Sequence, residues 1–174
     1  TQDFEMALEG DIPKTSDLII LDSYSPSKKK NIFSKSGYDL VPMVNSGSYY
    51  FTEGVDKISF YIEVYNTDKK LGPDQDFAIK YFLRNPNTDK VLNNYASFTK
   101  KKSSAVIPIL SSFNIKDLPS GNYEIAVEAM DKEGNIIVKK TLPFFRKNDI
   151  PALNIEDIES IQFLGTFADR ITNL

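Results

Sequence analysis

The chain has 174 residues, an apolar fraction of 41%, a formal net charge of -3 and a pI near 5.1. It holds no Cys and no His, which removes disulfides, thiolate zinc sites and every nucleophilic triad that needs an imidazole base. The acidic balance disfavours nucleic acid as a partner, and no apolar run approaches the roughly 18 residues of a membrane-spanning helix.

From the N-terminus, Phe4 to Leu8 alternates apolar and polar residues and stops at Gly10-Asp11, and Leu18 to Leu21 is a compact strand candidate. Ser23 to Gly37, rich in Ser and Lys, reads as a loop or linker. Residues 1–35 are therefore assigned to an N-terminal β extension and linker, the end of a preceding domain being one reading of the first 21. The chain starts at Thr1 rather than Met, which is expected of a processed or excised product. Two lysine runs, Lys28-Lys29-Lys30 and Lys100-Lys101-Lys102, read as solvated loop charge, with a small anion or phospholipid contact as the functional alternative.

Tyr49, Tyr50 and Phe51 follow a polar Asn45-Ser46-Gly47-Ser48 stretch. As strand residues they cap a core; on a loop they stack on sugar rings or anchor a protein partner. Ile58, Phe60, Ile62 and Val64 alternate with Ser59, Tyr61, Glu63 and Tyr65, the pattern of a half-buried strand. Phe77 to Arg84 repeats it, and Asn85 to Asp89 is a turn cluster. Val91 to Thr99 returns as the antiparallel partner. Ala105 to Leu110 is a shorter strand, and Pro108, lacking an N–H, belongs at an edge or bulge.

Leu118-Pro119-Ser120-Gly121-Asn122-Tyr123 delivers a tyrosine onto the start of a strand through a turn built on Pro119 and Gly121. In Greek-key sandwiches such a tyrosine folds back to hydrogen-bond the backbone a few residues upstream. That structural role is expected of Tyr123. Tyr123 to Met130 and Asn135 to Phe145 form a hairpin around Asp131-Lys132-Glu133-Gly134. The oxygen-bearing Asp131, Glu133 and Asn135 read as turn chemistry rather than a calcium loop, since no distal bidentate Glu is in place. Glu124 and Glu128 fall on the outer strand face, where solvated charge is expected. No catalytic residue, metal ligand or cofactor is assigned. After Arg146 the period changes: Ile155, Ile158, Ile161, Leu164, Ala168 and Ile171 predict an amphipathic helix behind Asn154.

Short strands at intervals of about ten residues favour an all-β, immunoglobulin-like sandwich over 36–146, with a linker and helix over 147–174. Three stretches carry a resemblance: Lys35 to Pro42, Lys57 to Asp68 and Leu118 to Tyr123. They resemble the β-rich, immunoglobulin-like or macroglobulin-like region of Bacteroidetes proteins that carry a GWxTD domain further along. The likeness covers roughly Asp17 to Arg146, and the chain, having no Trp, lacks the GWxTD sequence itself. The resemblance implies an exported bacterial protein, periplasmic or at the cell surface, and offers no catalytic residues. The expected function is a non-catalytic structural or protein-binding module, its partner another protein or neighbouring domains of the same chain. A carbohydrate-binding sandwich and a carboxylate-based hydrolase are the alternatives.

Overall fold

The computed structural model describes residues 12–27, 34–44 and 47–149. The strand candidate Phe4–Leu8, the Lys28–Lys30 run and the C-terminal helix all lie outside these residues.

Among the described residues, eleven strands and one short helix follow in chain order: β1 (Lys14–Thr15), β2 (Ile19–Pro26), β3 (Ser34–Lys35), β4 (Tyr38–Pro42), β5 (Tyr49–Phe51), β6 (Lys57–Tyr65), α1 (Thr67–Leu71), β7 (Asp76–Asn85), β8 (Lys90–Lys102), β9 (Val106–Asn114), β10 (Gly121–Met130) and β11 (Ile136–Arg146). They form two sheets. One runs β1-β6-β2-β4-β3 with β9 on the other side of β6; the other runs β5-β11-β10-β7-β8. All pairings are antiparallel except β5 with β11, which is parallel.

The alternation along β6, β7 and β10 dictates how the sheets meet. Ile58, Phe60, Ile62 and Val64 of β6 pack with Phe77, Ile79 and Leu83 of β7 and Ile125, Val127 and Ala129 of β10 in one core. Phe60, Tyr81 and Phe113 bridge the sheets as an aromatic trio, with ring centroids 5.6 to 5.9 Å apart. The result is an all-β sandwich.

The N-terminal boundary at Ser36 is corrected. Ile19, Ile20 and Leu21 pair with Tyr61, Phe60 and Ser59 of β6, and Leu18 and Ile20 are buried in the common core. Ser23 to Pro26, expected as loop, extend β2 against β4. Residues 14–26 thus belong to the sandwich, because β1 and β2 pair with β6 along the edge opposite β9. The half-buried reading of β6 is also corrected. Leu21, Leu40 and Tyr61 form a second small apolar cluster that covers its other face.

A short helix appears where only a turn was read. Asn66 adopts a left-handed conformation (φ 59°) and starts α1. The buried Thr67 fixes it: its hydroxyl donates to Ser104 O at 2.9 Å and accepts from Ser104 N at 2.9 Å. At five residues the helix is too short to leave a periodic signal.

At the β9–β10 corner, the Tyr123 hydroxyl donates to Pro119 O at 3.1 Å. Its ring lies over Gly121, where an added Cβ would come within 3.2 Å of ring atoms, so the glycine makes room for the fold-back. Replacing Tyr123 with Phe keeps the ring and leaves the Pro119 carbonyl without this donor. Denaturant titration should report a loss of about 1–2 kcal/mol, with an unchanged m-value.

Candidate interaction surface

Tyr49, Tyr50 and Phe51 sit on the outer edge of the five-stranded sheet, placed by parallel pairing with Phe144, Phe145 and Arg146. They separate by function. Phe51 is 1% exposed and packs edge-on against Phe144, so its assignment as an interaction residue is corrected: its ring belongs to the core. Tyr49 is half-buried against Phe51. Tyr50 is 53% exposed and stacks on Phe145, with centroids 5.3 Å apart.

Tyr50 opens onto the sheet's outer face, which the register lays out row by row. Phe98, Lys80, Glu128 and Lys139 stand side by side across β8, β7, β10 and β11; Ala96, Phe82, Ala126 and Thr141 form the next row. Phe98 is 57% exposed and Ile136 53%. Lys80 lies over both Phe82 and Phe98, its ammonium 4.6 and 5.7 Å from the ring centres. Its aliphatic stem covers apolar surface while its charge stays in water.

The carboxylates on this face are held by cations. Glu128, buried rather than solvated as expected, meets Lys139 at 3.1 Å. Glu124 receives Arg84 on one oxygen, Oε2, through Nε at 2.8 Å and Nη2 at 2.7 Å, a charge-assisted pair. Arg84 also pairs with Asp89 at the β7–β8 turn. The expectation of solvated outer-face acids therefore gives way to cross-strand pairing, which follows from Lys and Arg occupying the opposite register positions.

At the hairpin tip, the Asp131 carboxylate accepts from the backbone N–H of Glu133 (3.0 Å) and Asn135 (2.8 Å) and from Asn135 Nδ2 (2.9 Å). The Asn135 side chain foremost, with the backbone donors behind it, holds the carboxyl below the usual range. These oxygens are committed to the turn. Among the described residues no group of three or more Asp and Glu is arranged to hold a metal ion. A shallow depression of about 460 Å³ between this tip and the β7–β8 edge is lined by Phe77, Phe98, Asp76, Lys100, Asp131 and Lys132, among others.

On the opposite sheet, Tyr61 and Tyr65 both donate to Glu63, Tyr61 at 2.6 Å, with Lys35 at 3.5 Å and the Ser36 hydroxyl 3.2 Å from the Tyr61 hydroxyl. Sequence reading passed over this cluster; three polar-tipped residues at alternate positions of one strand were its only signal.

A third feature lies at the end of β11. Arg146 is fully buried, and its Nη1 donates to the carbonyls of Thr52 and Val55, the latter at 2.8 Å. Nη2 finds no partner among the described residues. Asn148 follows, donating from Nδ2 to Lys116 O (2.7 Å) and Leu118 O (3.1 Å). Together they clamp the departing chain to the loops before β6 and β10. No helix among the described residues is long and apolar enough to cross a membrane.

Comparison with known proteins adds no family to this geometry: no family model matches the chain, and no curated protein matches it.

Proposed function

We propose that the chain is a non-catalytic, immunoglobulin-like module that acts by burying the outer face of its five-stranded sheet against a protein partner. The immunoglobulin-like reading is supported by the strand order β5-β11-β10-β7-β8 facing β6 and β9, with a parallel first strand and a tyrosine folded back at the start of β10. The observation that carries the functional reading is the character of that face. Phe98, Tyr50 and Ile136 are each more than half exposed among neutralised ion pairs, the aromatic and charge mixture that protein interfaces use. A hydrolase needs two carboxylates converging in a cleft with distinct proton affinities. Glu124 and Glu128 instead lie on a sheet surface, each with its own cation.

The resemblance to the β-rich region of GWxTD-domain proteins supports placing the module in an exported bacterial envelope protein. Affinity capture with the full chain should retain one protein species from the host envelope, and Phe98→Asp should abolish that retention while leaving the circular dichroism unchanged. Equal retention by both would overturn the reading. Carbohydrate binding is a second reading, favoured by Tyr50, whose outward ring face is open opposite Phe145. A glycan array that retains the wild type and releases Tyr50→Ala would select it.

A further inference from the structure

Among the described residues, the edge strands β5, β8 and β9 differ in how they are guarded, and β9 is guarded least. β5 spans three residues, too short to template another strand. β8 is longer, but its register breaks opposite Leu83, and it ends in Lys100, Lys101 and Lys102, two of which reach Asp76. Bulges and lysines are the usual guards of an edge. β9 pairs with β6 without a break from Tyr65↔Val106 to Lys57↔Asn114, and none of its nine residues is charged.

The ladder fixes which of its backbone groups point outward. Asn66 N donates to Ala105 O at 3.0 Å, and Ile115 N donates to Asp56 O at 2.8 Å. Antiparallel pairs alternate, so Ile107, Ile109, Ser111 and Phe113 address β6. Val106, Pro108, Leu110, Ser112 and Asn114 turn their backbone groups away from it. Pro108 stands at an outward position, where its missing N–H costs no bond to β6. Beyond it, no described residue pairs with the outward donors and acceptors of Leu110, Ser112 and Asn114.

We propose that β9 pairs with β9 of a second copy of the chain, antiparallel about a two-fold axis at Ser112. In that register Leu110 meets the second copy's Asn114, Ser112 meets its counterpart, and Pro108 falls beyond the ladder on both sides. Two-fold self-pairing is the commonest way chains associate. Here it brings no charged residue of one β9 opposite one of the other, whereas β8 carries Lys90 and the run Lys100 to Lys102. Leu110 carries the apolar cluster of Leu21, Leu40 and Tyr61 to the joint, so the two outer faces become continuous. The inference rests on the ladder geometry of β9 and stands apart from the opposite sheet's outer face.

The chain contains no cysteine, which makes the test direct. The two Ser112 Cα atoms would lie about 5.5 Å apart as a hydrogen-bonded pair, within reach of a disulfide. Ser112→Cys in the full chain should convert mostly to a disulfide-linked dimer under mild oxidation, while Ser97→Cys on the β8 edge should stay mostly monomeric. The wild type should sediment as a concentration-dependent dimer, and Ser112→Pro should weaken dimerisation by about tenfold or more. A wild type that sediments as a monomer, or equal cross-linking at positions 112 and 97, would overturn the proposal, whether or not Ser112→Pro folds. A β9 edge serving a strand from a different protein would give that monomer.

Discussion

Arg146→Ala should lower the unfolding free energy by about 3–5 kcal/mol, the combined size of a large-to-small core change and of buried acceptors left unpaired. The reason lies in what the guanidinium replaces. The loop between β5 and β6 passes under the end of β11 with its Thr52 and Val55 carbonyls facing inward, and Arg146 supplies their donor from a fully buried position. Lys147 N adds a bond to Phe51 O at 2.8 Å. Arg146→Met fills most of the volume and provides no donors, so it should recover only the packing part. Full recovery by Met, measured in guanidinium titrations, would show that shape alone matters there.

Glu63→Ala should be nearly as costly, about 2–4 kcal/mol, because it strands two phenol hydroxyls on β6 that now share one carboxylate. Burial works against ionised Glu63, but the hydroxyls of Tyr61 and Tyr65 and the Lys35 ammonium outweigh it and hold the carboxyl below its ordinary range. Both phenols are pushed well above theirs, first by burial and then by their bonds to Glu63. The signs follow from linkage. A depressed carboxyl contributes stability that is fully present above the unfolded value near ~4.3 and is lost as pH falls through the folded one. Elevated phenols contribute stability that is present below about pH 10 and is lost as pH rises toward their folded values. Glu63→Gln keeps an acceptor without a titrating proton, so the acid limb of a melting-temperature profile should flatten in that variant. An unchanged acid limb would place the acid sensitivity elsewhere.

The layered β architecture was legible because side-chain alternation reports directly which residues face a core. Ile58 to Val64, Phe77 to Leu83 and Ile125 to Ala129 line the common core, as their period requires. Alternation does not report whether the other face is covered. Tyr61, Phe82 and Glu128 all sit on outer faces and are all buried, the first by β2 and β4, the second beneath the Lys80 stem, the third beside Lys139. Pairing between distant segments is likewise absent from local pattern. Ile19 to Leu21 looked like an appendage until β6 was seen to need a partner on that side, and Tyr49 to Phe51 gave no sign of running parallel to β11. Arg146 was read as the last residue before a linker, since an arginine at a strand end ordinarily points to water. Only the loop carbonyls it meets explain its burial. Of the three aromatics singled out at the start of β5, Tyr50 remains as surface, and Phe98 of β8 is more exposed than any of them.

The proposed protein-binding face is tested most directly by a photo-reactive benzoylphenylalanine placed at position 98, on the outer face of the five-stranded sheet. A second copy of the probe belongs at position 24, where Tyr24 is exposed on β2 of the opposite sheet. Illumination of the full-length protein in its host cells should link position 98 to one discrete protein and leave position 24 unlinked. A discrete adduct from position 24 with none from position 98 would contradict the assignment of the binding face. The absence of any protein adduct at both would contradict the protein-binding role itself.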